Sequence, residues 1–287
     1  MKKIIALVLS LVMVMGLFAA CGTTNDKEGN ASTTGAATEA TTEATTEATG
    51  EATGDVDASF TTVQEGKLIM ATNAYFPPYE FYEGDEIVGI DAEIAAAIAE
   101  KLGLELVIEN MQFDSIITAV TEGAADFGLA GMTVTDKRKE QVDFSISYAS
   151  GVQSIIVKEG SPITTVDDLY AEGAAYKVGV QLGTTGDIYA TDDFGEDLVT
   201  QYTNGNEAVL ALISGDVDCV IIDNEPAKAF VAANAGLTIL DTSYADEDYA
   251  ACFAKESTAL RTAVDNAIME LTEDGTIDGI IAKYIGA

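Results

Sequence analysis

The sequence predicts an α/β fold built on parallel sheets covered by helices. From residue 67 onward, short apolar runs alternate with stretches whose apolar residues recur at helical spacing. A parallel sheet requires that alternation, because each crossover to the next parallel strand is normally made by a helix. The chain has 287 residues, 48% of them hydrophobic and 22% charged, enough apolar surface for one large domain or two lobes.

The elements follow in order. Leu68 to Thr72 (LIMAT) is short and apolar, suited to a buried strand. Ile90, Ile94, Ile98 and Leu102 then fall at four-residue steps, with Gly103 placed as a helix stop. LELVIEN is the next strand, and Asp114 is a cap for a helix through Ile116, Ile117 and Val120 that stops at Gly123. DFGLAG is a third short strand, after which Thr135 caps the polar helical turn DKRKE. A second set repeats the rhythm without a tandem sequence repeat. Tyr176 to Val180 is a strand, Gly183 to Asp187 opens a helix, and Asn206 caps EAVLALISG. DCVII is a strand ending at Asp223, PAKAFVAANAG a helix, and LTIL and YAACFA further strands. Two helices, Ser257 to Leu271 and Thr276 to Tyr284, close the chain around Asp274-Gly275.

Charge excludes several functions. The chain carries 48 acidic against 14 basic residues, a formal net charge of −34, and no histidine. Phosphate backbones would repel it, which argues against a nucleic-acid partner. Without histidine there is no His-based triad, general base or metal ligand, and no metal or other cofactor is implied.

The first sixty residues stand apart. Met1, Lys2 and Lys3 precede an apolar run from Ile4 to Ala20, the pattern of an export signal over residues 1–20. Cys21 follows Ala19-Ala20 directly and resembles the lipidated cysteine of bacterial lipoproteins, although Phe18 stands where that motif usually has Leu. The competing reading is an uncleaved membrane anchor; both place the folded part outside the cytoplasm. Residues 21–60 form a Thr/Glu/Ala-rich linker with a period-four TEAT repeat and almost no large apolar residues, a composition that predicts a flexible tether. Its reach as a coil would be roughly 30–40 Å.

In open α/β sheets, ligands sit beyond the carboxyl ends of the strands. Here that singles out Asn73 to Tyr79, Ala130 to Thr135, Gln181 to Thr185 and Asp223 to Pro226. Their chemistry complements a zwitterion. Arg138, one of two arginines in the chain, offers a planar fork for a carboxylate. Gly183-Thr184-Thr185-Gly186 is a strand-to-helix turn whose backbone N–H groups can hold an anion. Asp223 could receive an ammonium group, and Tyr75, Phe76, Tyr79, Phe81 and Phe113 could enclose a side chain. Each feature also has an ordinary structural reading: Arg138 as a surface ion pair, the Gly-Thr turn as a helix cap, Asp223 as a helix start, and the aromatics as core.

Together these stretches resemble the bacterial extracellular solute-binding proteins, family 3, that feed polar amino acids to ABC importers. GIDAEIAAAIAEKL resembles that family's signature around the first helix, AGMTVTDKRKEQVDFS its carboxylate-binding motif, and FPPYEF its aromatic–proline element. VGVQLGTTGD, GDVDCVIID and LTEDGTIDGIIAKY match the second lobe and the C-terminal helices. Ala92 departs from the signature, where a larger aliphatic residue or Thr is usual.

The resemblance implies a two-lobed, type II periplasmic-binding-protein-like fold. Each lobe would be a mainly parallel sheet flanked by helices, and two hinge strands would join them. The solute-binding domain would be 61–287, with lobe 1 at about 67–149 and 249–287 and lobe 2 at about 150–248. Arg138, with the backbone of Thr133 and Thr185, would clamp an α-carboxylate. Asp223 and the Gly131 carbonyl would take the α-ammonium, and Phe76 and Phe113 would sandwich the side chain. Asn73 stands where relatives that bind lysine or arginine often have Asp, and Gln112 and Ile222 would shape the same pocket. The expected partners are a small amino acid, membrane permease subunits and, through Cys21, the membrane itself, with the protein a lipid-anchored extracytoplasmic monomer. Two alternatives stay open: a sensing lipoprotein, and a dehydratase of cyclic carboxylic acids on the same fold, for which Glu80 and Glu225 would be the acids near the cleft. Cys219 and Cys252 are expected in strands, free or paired as a disulfide.

Overall fold

The computed structural model describes residues 60–286. The expected signal segment, Cys21 and the linker up to residue 59 lie outside the described residues. Among the described residues, no helix is long and apolar enough to cross a membrane.

Two main sheets form. The first has the strand order Glu105–Asn110, Lys67–Thr72, Phe127–Gly128, Cys252–Ala254, Val142–Phe144. Its first three strands are parallel, and Cys252–Ala254 runs antiparallel to both of its neighbours. The second has the order Val199–Tyr202, Val178–Gln181, Cys219–Asp223, Ala149–Lys158, Leu237–Ile239, with Ala245–Tyr249 also paired to Ala149–Lys158. A small hairpin sheet, Tyr75–Phe76, Glu80–Glu83 and Glu86–Val88, projects from the first. The α/β class and the order of the predicted elements are as the sequence predicts. Both sheets are mixed rather than mainly parallel, however, because Cys252–Ala254 and Ala149–Lys158 run antiparallel to their neighbours. Ala149–Lys158, Val142–Phe144, Val199–Tyr202 and the small hairpin sheet are strands additional to those predicted.

Burial explains why these runs became strands. Lys67–Thr72 alternates its side chains between two covered faces. Leu68 and Met70 pack with Ile90, Ile94 and Ile98, while Ile69 and Ala71 face Ile116 and Val120. Likewise Ile155, Val157, Cys219 and Ile221 share one face of the second sheet, and Ile156, Val220 and Ile222 meet Ala208, Val209 and Leu212 on the other. Helix Ile90–Leu102 ends at Gly103, whose φ of 69° lets its N–H reach the carbonyls of Ala99 and Glu100.

Some local expectations change. Asn204, not Asn206, caps helix Gly205–Ser214: its side chain accepts from Glu207 N at 3.0 Å, and the Glu207 carboxylate accepts from Thr203 N. The Asn204 side chain satisfies a first-turn N–H and Glu207 reaches back to Thr203 just before it, so the helix starts earlier. Asp114 makes no cap; Phe113–Ser115 is a 3-10 turn leading into Ile116–Thr121. Only Phe127–Gly128 of DFGLAG is strand, because the chain beyond it leaves the sheet. YAACFA divides between Ala245–Tyr249 and Cys252–Ala254. Cys219 and Cys252 are free and buried, one in each main sheet, so the disulfide alternative is not realised.

Two antiparallel strands join the sheets. Ala149–Lys158 and Ala245–Tyr249 pair from Tyr249↔Ala149 to Ala245↔Gln153. The bond from Tyr148 N to Tyr249 O continues the pairing toward the first sheet. Where strand Phe127–Gly128 begins, the first sheet is secured by Asp126, whose two carboxylate oxygens accept from Val63 N at 2.7 Å and Ile69 N at 2.6 Å. Asp126→Ala leaves a buried strand N–H without its charged acceptor and should cost about 1–3 kcal/mol. Thermal unfolding should read this as a Tm lower by roughly 2–10 °C, and an unchanged Tm would refute the account.

Candidate functional site

A small cavity, about 10 Å³, lies where the loops after both sheets meet. Its walls include Asn73, Phe76, Phe113, Gly131, Thr133, Arg138, Thr185 and Asp223. The structure thus brings all eight residues singled out for ligand contact to one place. Glu80, Ala130, Gln181 and Thr184 complete the lining.

Arg138 sits in the short helix Asp136–Lys139, set by Thr135, whose hydroxyl accepts from Arg138 N at 3.2 Å. Its guanidinium is buried, donating to Thr133 O at 2.6 Å and across the cleft to Gly183 O at 3.0 Å. The Phe113 ring lies 5.3 Å from the guanidinium carbon, a cation–π distance. Phe76 instead stacks on Tyr79, with ring centroids 5.8 Å apart. Phe113 is therefore a partner of Arg138 as well as a cavity wall.

The Gly183 turn is partly used. Gly183 N is bonded to Asp187 at 2.9 Å and Asp187 N to the Thr184 hydroxyl at 3.3 Å, so the cradle narrows to the start of helix Thr185–Phe194. Asp223 closes strand Cys219–Asp223 and is buried at its carboxyl end. Its oxygens accept from the Tyr249 hydroxyl and, at 2.8 Å, from Gln153 Nε2. Burial, followed by the nearby Glu247, pushes the Asp223 carboxyl well above its ordinary pKa, opposed by Gln153 and Arg138. An ammonium group placed beside it would reverse that shift.

Several contributors were not anticipated. Gln153 links Asp223 to Glu247, which accepts from it at 2.9 Å and from the Thr133 hydroxyl at 3.0 Å. Both lie on the joining strands and are buried. Period-two alternation in ADEDY places Glu247 on the same face as Tyr249, the one signal available; Gln153 lies among Ser150, Ser154 and Lys158 and does not stand out. At another wall, Gln181 Nε2 donates to Asn73 Oδ1 at 2.9 Å, and Asn73 Nδ2 to Met111 O at 2.7 Å. Glu80 is fully buried and has Asp91 beside it, whereas Glu225 is outside the lining and pairs with Lys228.

Among the described residues no cluster of His, Cys, Asp or Glu has the makings of a metal site. The two thiols are no better placed for chemistry, since burial pushes each to about 12.

Two α/β units joined by a pair of antiparallel strands, with one polar cavity between them, define a two-lobed solute-binding protein. Residues 68–287 match the family model of the bacterial extracellular solute-binding proteins, family 3, and the chain belongs to that family. It is 34% identical over 228 residues to the arginine-binding extracellular protein ArtP of Bacillus subtilis (strain 168), covering 76% of this chain and 86% of that one. It is 28% identical over 230 residues to the L-cystine-binding protein TcyJ of Escherichia coli (strain K12), covering 78% and 84%. An ancestral arginine-binding protein solved bound to glutamine shares 38% identity at a TM-score of 0.73, covering 78% of this chain and 100% of that one.

Proposed function

We propose that this chain is the extracytoplasmic amino-acid-binding component of an ABC transporter, capturing a polar amino acid between closing lobes and delivering it to the permease. The observation that carries this reading is the buried pair of opposite charges, Arg138 and Asp223, in the wall of one cavity. Both are hydrogen-bonded but neither is in a salt bridge among the described residues, and a zwitterion supplies the counter-charge that a buried ion requires. Arg138, Thr133 and Thr185 take the carboxylate, Asp223 and Gly131 the ammonium, and Asn73, Phe76 and Phe113 the side chain. The Asn73–Gln181 amide pair favours a polar over a strictly cationic side chain.

Lobe 1 comprises about 67–149 and 249–287, and lobe 2 about 150–248, so the two joining strands are the hinge. Contacts reaching both lobes exist only when the lobes are closed, and the ligand therefore shifts the population toward closure. Residues 1–20 direct export, Cys21 carries the lipid, and 21–60 tether a monomeric domain to the membrane surface. The chain binds and releases its solute without chemistry, consistent with relatives described as binding proteins.

A thermal-shift panel of the L-amino acids and cystine on the protein, refolded from denaturant to strip carried-over solute, tests this. A ligand at about 100 times its Kd adds roughly 2.7 kcal/mol, a Tm shift of about 5–10 °C. A flat panel would overturn the amino-acid reading and direct the search to cyclic carboxylic acids.

A further inference from the structure

Glu80 and Asp91 are both fully buried, and Glu80 lines the cavity. Asp91 Oδ2 accepts from Gly131 N at 2.7 Å and from the Tyr148 hydroxyl at 2.8 Å. Taken as two carboxylates, the pair leaves Glu80 Oε1, Glu80 Oε2 and Asp91 Oδ1 without a hydrogen-bond partner. Three orphaned buried oxygens side by side are costly, and two ionised carboxylates cannot share so dry a site. One proton changes this, because Glu80 lies within hydrogen-bond reach of Asp91 and can donate to it. The other acidic and phenolic groups facing the pair are Tyr79, Tyr148, Asp223 and, near Tyr79, Glu225; none is a cation.

Gly131 shows what the pair holds. Its backbone has φ +52°, and an added Cβ would stand 2.7 Å from Phe76 Cε1. The loop after Phe127–Gly128 is thus pinned between the Phe76 ring and the Asp91 carboxylate. Tyr148, the other donor to Asp91, directly precedes the hinge strand Ala149–Lys158.

We infer that Glu80 and Asp91 share a single proton and act as one positioning unit: Glu80 donates to ionised Asp91, which holds Gly131 so that its carbonyl meets the ligand ammonium. This rests on the amino-acid reading of the cavity. It also assigns Glu80 a role that sequence reasoning left among the acids of an enzyme. Burial drives the Glu80 carboxyl well above the usual range, and Asp91 is raised to about 6, so near neutral pH the proton stays on Glu80.

The test compares wild type, Glu80→Gln and Glu80→Ala. Infrared difference spectra of the ligand-free protein near neutral pH should show a protonated-carboxyl band in wild type that Glu80→Gln lacks. Calorimetry with L-arginine and L-glutamine, using whichever binds wild type, should find Glu80→Gln within about threefold of the wild-type Kd, because the amide still donates. Glu80→Ala should weaken binding by roughly 10–100-fold. No difference band, or equal damage from both substitutions, would overturn the shared proton and its positioning role. If Glu80→Ala does not fold, the band and the Glu80→Gln affinity still decide. The infrared arm needs no ligand, so a wild type that binds neither amino acid leaves the pair to be judged on its band, and the proposed function fails only with a flat thermal-shift panel.

Discussion

Arg138→Ala should abolish high-affinity binding, weakening the Kd by at least about 100-fold, or about 3–5 kcal/mol. Arg138 is 5% exposed, and its guanidinium touches the cleft from one side and already reaches Gly183 O on the other. Removing it leaves a ligand carboxylate buried without a counter-charge, and also removes one direct bond between the two units. Arg138→Lys should recover only part of the loss, since a single ammonium cannot reproduce the fork that meets Thr133 O and Gly183 O together. Calorimetry against the amino acid identified by the thermal-shift panel measures both variants. An Arg138→Ala protein with wild-type Kd would remove the carboxylate clamp from the proposal, while the fold assignment would stand.

Gly151→Ala should be the most damaging small substitution in the hinge. Gly151 pairs with Glu247 in the joining strands, and a methyl group there would overlap the Tyr249 ring and hydroxyl. Tyr249 is fully buried, so its ring has nowhere to move without displacing neighbours such as Tyr79. Overpacking of this kind costs about 1–3 kcal/mol, and loss of the Tyr249 bond to Asp223 adds about 1–3 kcal/mol. The expected Tm is lower by roughly 5–20 °C. Ligand affinity should fall as well, because Asp223 loses a donor that orients it. A variant with unchanged Tm and Kd would mean that the hinge accommodates the methyl and that Tyr249 does not hold Asp223.

Both predictions start from residues that differ in how visible they were beforehand. Arg138 could be singled out because arginine is so scarce in this chain and because a capped polar turn followed a strand. Gly151 and Tyr249 gave no such sign, since their contact joins positions 98 residues apart in the chain. Cap positions show the same limit on a smaller scale. Asn204 and Asn206 are equally good caps by residue type, and only the bond from Glu207 N to the Asn204 side chain selects the first.

The eight residues that meet at one cavity were named through the family resemblance, whereas the sequence by itself determined the α/β class, the order of the predicted strands and helices, and the helix stop at Gly103. These are local matters: apolar period, capping chemistry and placement at strand ends are properties of neighbouring residues. Tertiary structure decided which of the 48 acidic residues would be buried together. Glu80, Asp91, Asp223 and Glu247 come from four separate segments, and each is at most 6% exposed. Whether a carboxyl is ionised or shares a proton depends on how far packing removes it from water and on which donors packing brings beside it. Those are long-range consequences of the fold, and no local pattern in the chain encodes them.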